Sequence, residues 1–342
     1  MKMGSSIRIG YIDIMKGIAI ICVLAGHYMS LPFVSTIIWS FHMPLFIFLN
    51  GYFFKDGPIG TRIKKSWVSY MKPYIIVWFL LLIAEVLLAF TECVNVITVA
   101  KDRLISGIWA LAGNRAPFRP EWVVKIGVIW FLNALFIGTI LLSFTLKIKR
   151  VFYQMLFVIV AFLIAMIQTA HGCLPFGLNY GAAFLMWLWI GYIYSIYKKR
   201  DSRIIGFIES SKGFIISMAL WIGIIILEEL SGHAYNICWL RLPLYGVELI
   251  GAFCGIIVVM YISRLIDIYS NYVASILRYL GKSSLWILCV HALDVELFVK
   301  ISSQITIESH VVMCLRSIFD IFFALFVRRI YKSITSYKVQ RI

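Results

Sequence analysis

KGIAIICVLAGH, residues Lys16 to His27, is the stretch on which the reading of the chain turns. It is the centre of an apolar run from Ile7 to about Met29, long enough to cross a bilayer as a helix. A segment with no task beyond spanning could close on another leucine, but this one opens on a lysine and closes on a histidine. At 100° per residue, the eleven steps from Lys16 to His27 make three turns plus about 20°. Both side chains therefore share one helix face, roughly 16 Å apart along the axis. Asp13 lies three residues before Lys16 on the same face and can pair with it or serve the same site.

Outward from this stretch the apolar character continues. The chain has 342 residues, 62% hydrophobic and 14% charged, with a mean hydropathy of +0.92. That balance excludes a soluble core and indicates a polytopic, all-α membrane protein. Apolar windows fall near 10–30, 36–53, 70–90, 127–147, 151–168, 180–197, 213–230, 243–262, 283–300 and 311–330. These predict ten transmembrane helices in one membrane domain, 1–342, with no appended soluble module. The basic N-terminus resembles a signal peptide. Asp13 and Lys16 interrupt it and no small-residue cleavage site follows, so it is expected to be a retained span.

The net charge of +16 is an orientation signal. With both termini in the cytoplasm, 23 of the 32 Lys and Arg fall inside, among them Lys2, Arg8, Lys338 and Arg341. Seven fall outside: Lys101, Arg103, Arg115, Arg119, Lys125, Arg241 and Lys300. Nucleic-acid binding is not needed to explain the basicity. The seven cysteines show no metal-ligand spacing, and no metal is expected. Cys93, Cys173 and Cys238 fall in outer loops, where a disulfide is open. The long outer connection 91–126, with GNRAPFRPEW (113–122), suits an ordered loop with a short interfacial helix over an outer cavity.

Ionisable groups inside spans are costly and mark function by default. His27, His42, Glu85, Asn133, Glu248, His291, Asp294, Arg316 and Asp320 gather in the outer half, whereas Asp13 and Lys16 approach from the cytoplasm. This predicts a polar chamber opening outward. The packing alternative is an ion pair of Glu85 or Glu248 with Arg316. His171, His233 and His310, in or beside outer loops, are expected to be solvated.

Five segments together carry a family resemblance: IDIMKGIAIICVLAGH (12–27), WSFHMPLFIFLNGYFFK (39–55), RIKKSWVSYMKPY (62–74), IWFLNALF (129–136) and LGKSSLWILCVHAL (280–293). In this order they resemble the acyltransferase-3 family of membrane acyltransferases, in its fucose 4-O-acetylase-like branch. The resemblance implies a ten-helix enzyme of the plasma (inner) membrane, multi-pass, with acetyl-CoA as the cytoplasmic acyl donor. A hydroxyl of a cell-surface glycan or lipid-linked saccharide would be the acceptor, and membrane lipids the surroundings. The family's basic residue, ten intervening residues and histidine correspond to Lys16 and His27, with lysine where arginine is usual. Arg62-Ile63-Lys64-Lys65 approximates its Arg-x-x-Arg, so Arg62, Lys64 and Lys65 would hold the donor's phosphates.

On that reading the pantetheine arm passes Asp13 and Lys16, and His27 is the general base. His42 or a carboxylate would orient His27, and Asn133 or Arg316 would stabilise the oxyanion. The other class is a lipid-linked glycan flippase or transporter. The Lys16–His27 spacing beside HMPLF, and acetyl-CoA binding, discriminate the two.

Overall fold

The computed structural model describes residues 10–28, 32–112, 120, 122–302 and 310–339. Among these the regular structure is helical throughout, with no strand. The helices are α1 (Gly10–Tyr28), α2 (Pro32–Tyr52), α3 (Ile59–Ser66), α4 (Lys72–Thr91), α5 (Val96–Trp109), α6 (Trp130–Thr145) and α7 (Val151–His171). They continue as α8 (Leu178–Lys199), α9 (Arg203–Ile208), α10 (Ser211–Ser231), α11 (Val247–Tyr269), α12 (Asn271–Ser302) and α13 (His310–Val339). Arg115 and Arg119, and Lys2, Arg8 and Arg341 near the termini, lie outside the described residues, as do the side chains of His171, Lys300, His310 and Lys338.

Each of the ten apolar windows coincides with a helix. Eight membrane-length candidates arise: α1, α2, α3 with α4 as one 33-residue run, α7, α8, α10, α11 and α12. The shorter α6 is equally apolar. Boundaries moved most at α12, which begins at Asn271, twelve residues before the window. Its first turns are too polar for a hydropathy average to include.

The helices sort by how much of their surface faces outward. α7 and α10 are apolar on every side and keep most of it exposed, including Phe152, Leu156, Ile164 and Leu230. A helix of that kind is stable only against lipid. α1, α2, α6, α8 and α11 form the interior, with α1 packed against α2, α11, α12 and α13. Lipid gives no hydrophobic drive between helices, so close backbone contact has to supply the packing. At the α1–α12 crossing a Cβ added to Gly281 would stand 1.9 Å from the Asp13 carbonyl oxygen. At the α2–α8 crossing one added to Gly51 would stand 1.9 Å from that of Leu188.

Between α3 and α4 the helix widens into a π-turn over Trp67–Met71. Pro73 gives the reason: it has no N–H for the Ser69 carbonyl and its ring crowds that carbonyl. The short helices α3, α5 and α9 fall outside the ten windows, α5 within the outer connection 91–126 where a short interfacial helix is expected. Of these α5 folds back along α4, where Tyr74 Oη donates to the Gly107 carbonyl at 2.6 Å and Trp78 Nε1 to that of Arg103 at 2.8 Å.

Candidate active site

Lys16, Ile20 and Val23 lie on one face of α1 and line a cavity of about 330 Å³. Its other walls are Phe46 and Asn50 of α2, Ser69 and Tyr70 of the π-turn, Leu135 of α6 and Leu288 of α12, among others. The widened turn aims Tyr70 inward, and its Oη donates to Asn50 Oδ1 at 2.6 Å. The cavity is mostly apolar with one ammonium at its Lys16 end. Lys16 Nζ lies over the Phe53 ring, 5.2 Å from its centroid. Asp13 is buried one turn below, against the Gly281 crossing.

Ser69 follows Lys65 by one helical turn, about 6 Å, so the cationic face of α3 adjoins this cavity. Arg62 is anchored there: its Nη2 donates to the Asp56 carbonyl at 2.7 Å and its guanidinium stands over the Phe54 ring. Lys64 and Lys65 are exposed.

One turn beyond Val23 on the same face is His27. It is exposed, and its ring centroid lies 5.2 Å from that of His291 on α12. His42 and Lys125 are also within electrostatic reach of it. His42 is buried, with Nδ1 2.6 Å from the Ile38 carbonyl, a bond that fixes its ring on α2.

Behind His27 stands a buried network from three helices. His291 Nδ1 and Asp320 Oδ2 of α13 are 2.9 Å apart, and both side chains are fully buried. With the carboxylate ionised, that bond puts the proton on Nδ1 and leaves Nε2 an acceptor. Nε2 is buried and has no hydrogen-bond partner. The single Tyr28 Oη proton is shared between two acceptors, Asp320 Oδ2 at 2.9 Å and Asp294 Oδ2, and the tyrosine ring meets that of His291 edge-on. Arg316 donates through Nε (2.9 Å) and Nη2 (2.7 Å) to Asp294 Oδ2, with its guanidinium over the Tyr28 and Phe298 rings.

The pairing differs from the packing alternative. Arg316 pairs with Asp294, not with Glu85 or Glu248. Glu85 pairs with Arg103 of α5 instead. Arg103, counted as an outer-loop cation, is therefore buried. It also faces Glu296 of α12 at 3.8 Å, and Lys125 reaches the same carboxylate at 3.2 Å. Glu248 folds back onto the Leu244 and Gly246 backbone N–H groups at 3.2 and 3.1 Å. Asn133 donates to the Phe176 carbonyl and fastens the turn before α8. All seven cysteines are free, which removes a disulfide among Cys93, Cys173 and Cys238.

Tyr28, Lys125 and Glu296 were not singled out as functional from the sequence, and His291, Asp294 and Asp320 were placed only by depth. The signal for the last three was a charge in each of two consecutive spans; nothing local marked the tyrosine.

Residues 9–327 match the family model of the acyltransferase-3 type, described as an acyltransferase domain, and the chain belongs to that family. No curated protein and no solved structure matches it.

Proposed function

We propose that this membrane acyltransferase is an O-acetyltransferase, moving the acetyl group of cytoplasmic acetyl-CoA to a hydroxyl of a cell-surface glycan or lipid-linked sugar, with His27 as general base. The observation that carries the reading is the single face of α1. Lys16, Ile20 and Val23 line a cavity, and His27 continues the same face one turn on. A mostly apolar cavity with a cation at one end, on the helix face that carries the imidazole one turn further on, suits a pantetheine arm. The phosphates of the donor would rest near Arg62, Lys64 and Lys65, where charge-assisted contacts are strongest.

In the reaction His27 takes the proton of the acceptor hydroxyl as its oxygen bonds to the thioester carbonyl carbon. The tetrahedral oxyanion then collapses, the C–S bond breaks, and the thiolate leaves with the proton held by His27. His291 and Asp320 are positioning residues, since their bond fixes the ring against which His27 rests. Arg316 also positions, because both Nε and Nη2 are committed to Asp294. Lys125, within electrostatic reach of His27 and with ammonium protons beyond the one directed at Glu296, suits the oxyanion better than Asn133, whose amide donates to the Phe176 carbonyl. His42 lies within reach of His27 and limits its positions.

The test uses membranes of cells expressing the full chain, supplied with [14C]acetyl-CoA. Label should enter the saccharide fraction with the wild type and fall to background with His27→Ala at equal protein level. Label that persists in the variant, or never exceeds that of cells without the protein, overturns the proposal.

A further inference from the structure

A second cavity, of about 900 Å³, opens between the start of α2, the end of α10 and the segment 232–243. Its volume lies in the upper part of the range for ligand sites. Two features mark its wall. Trp39 and Trp239 meet edge to face, with ring centroids 6.4 Å apart, and both are half-buried. Glu228 lies beside them at 1% exposure, and neither of its carboxylate oxygens makes a hydrogen bond of good geometry. The Tyr235 backbone N–H is close by, and the carboxylates of Glu229 and Glu248 lie within electrostatic reach. Burying a carboxylate without donors costs free energy unless something supplies them. His233 and Asn236 complete the polar lining, with Arg241 as its one cation.

The cavity adjoins the reactive end of α1. Trp39 Nε1 stands 3.2 Å from where a Cβ on Gly26 would be, and Gly26 is the chain neighbour of His27. A ligand seated against Trp39 would lie on the α2 side of α1 at the level of Gly26, off the Lys16–His27 face.

We infer that this cavity binds a neutral saccharide segment of the acceptor, whose ring faces lie on Trp39 and Trp239 and whose hydroxyls donate to Glu228. The inference rests on the acyl-transfer reading for the word acceptor, while the recognition chemistry stands alone. Indole supplies a broad apolar face with one donor at its edge. A buried carboxylate with no donor beside it but the Tyr235 backbone N–H has room for more, which sugar hydroxyls supply. Glu229 and Glu248 add negative potential, so a uronate or phosphate on the same sugar is repelled. The rest of this basic protein would attract one.

The full-length protein in detergent, applied to an array of neutral oligosaccharides and of the same backbones bearing uronic acids or phosphates, tests the assignment. The wild type should retain neutral sugars at least tenfold better than acidic ones. Glu228→Gln keeps the shape and removes the charge, and should narrow that preference below threefold. Trp239→Leu should weaken all sugars at least tenfold, and serves if Glu228→Gln fails to accumulate. Equal retention of acidic sugars, an unchanged preference in Glu228→Gln, or no retention of any saccharide overturns the inference. Sugar binding without acetyl transfer would overturn the acyl-transfer reading alone, and transfer without this selectivity would overturn only the cavity assignment.

Discussion

The α1–α12 crossing sets where His27 sits, and Gly281→Ala measures how tightly. A methyl group there would lie 1.9 Å from the Asp13 carbonyl oxygen, whereas ordinary contact begins at 3.4 Å. The obstacle is backbone on both sides, so no side chain can rotate away. The helices must separate by about 1.5 Å, the shortfall between those two distances. Overpacking of this kind costs about 1–3 kcal/mol. That is tolerable for a large bundle, so the protein should still insert and accumulate. Catalysis is less forgiving, because His27 on α1 and His291 on α12 are referenced to each other through this contact. A misplacement of about 1 Å can cost on the order of 10²-fold in rate. The expected result is a loss of about that size in the initial rate of [14C]acetyl incorporation, normalised to protein in the membrane. Gly223→Ala on α10 is the control, since its Cβ would meet nothing within 4 Å and its rate should match the wild type. A Gly281→Ala rate within threefold of wild type would refute the claim that this crossing aligns the site.

Three further outcomes are expected. His27→Ala should lose at least 10²-fold in acetyl transfer, the scale of general-base catalysis, with an unchanged thermal melt of the purified protein; a lowered melting temperature with residual activity would assign it to packing. Changing Arg62, Lys64 and Lys65 together to Gln should raise KM for acetyl-CoA more than for the acceptor, because contacts remote from the carbonyl give uniform binding; an unchanged donor KM would leave α3 no part in phosphate binding. Finally, exposed Cys93 should react with an impermeant maleimide added outside intact cells, as the charge asymmetry requires. Cys238 should stay unmodified, since it is half-buried, its thiol donates to Asn236 Oδ1, and desolvation pushes its pKa up to about 12. Labelling of Cys93 only after the cells are opened would invert the topology.

What the sequence disclosed followed physical range. Helix positions came from hydropathy, which is local, and the common face of Lys16 and His27 from helical period alone. The short α3 and α9 were missed as elements because a membrane-length average does not resolve helices of eight and six residues, whereas α5 is a helix in the outer connection where a short interfacial one was expected. Partners were missed for another reason. Whether Arg316 meets Glu85, Glu248 or Asp294 depends on which spans become neighbours, and charge type alone leaves all three open. Tyr28 shows the limit most plainly. Beside His27 it reads as an interfacial aromatic, and only packing against α12 and α13 reveals that its hydroxyl serves two carboxylates.

The buried network behind His27 also bears on how the chain enters a bilayer. Asp320 and Arg316 would each cost about 2.5–3.5 kcal/mol at the centre of a lone inserting helix. In the folded protein Arg316 meets Asp294 of α12, and Asp320 meets His291 of α12 and Tyr28 of α1. Helix α13 therefore becomes comfortable in lipid only once α1 and α12 are beside it, so contacts between helices far apart in sequence close the bundle. Substituting Asp294 would strand a guanidinium during biosynthesis, before any substrate arrived. Its effect would appear as missing protein, cleared by quality control, rather than as slow turnover. His27, exposed and outside those ion pairs, is the position where a lost reaction can be attributed to chemistry.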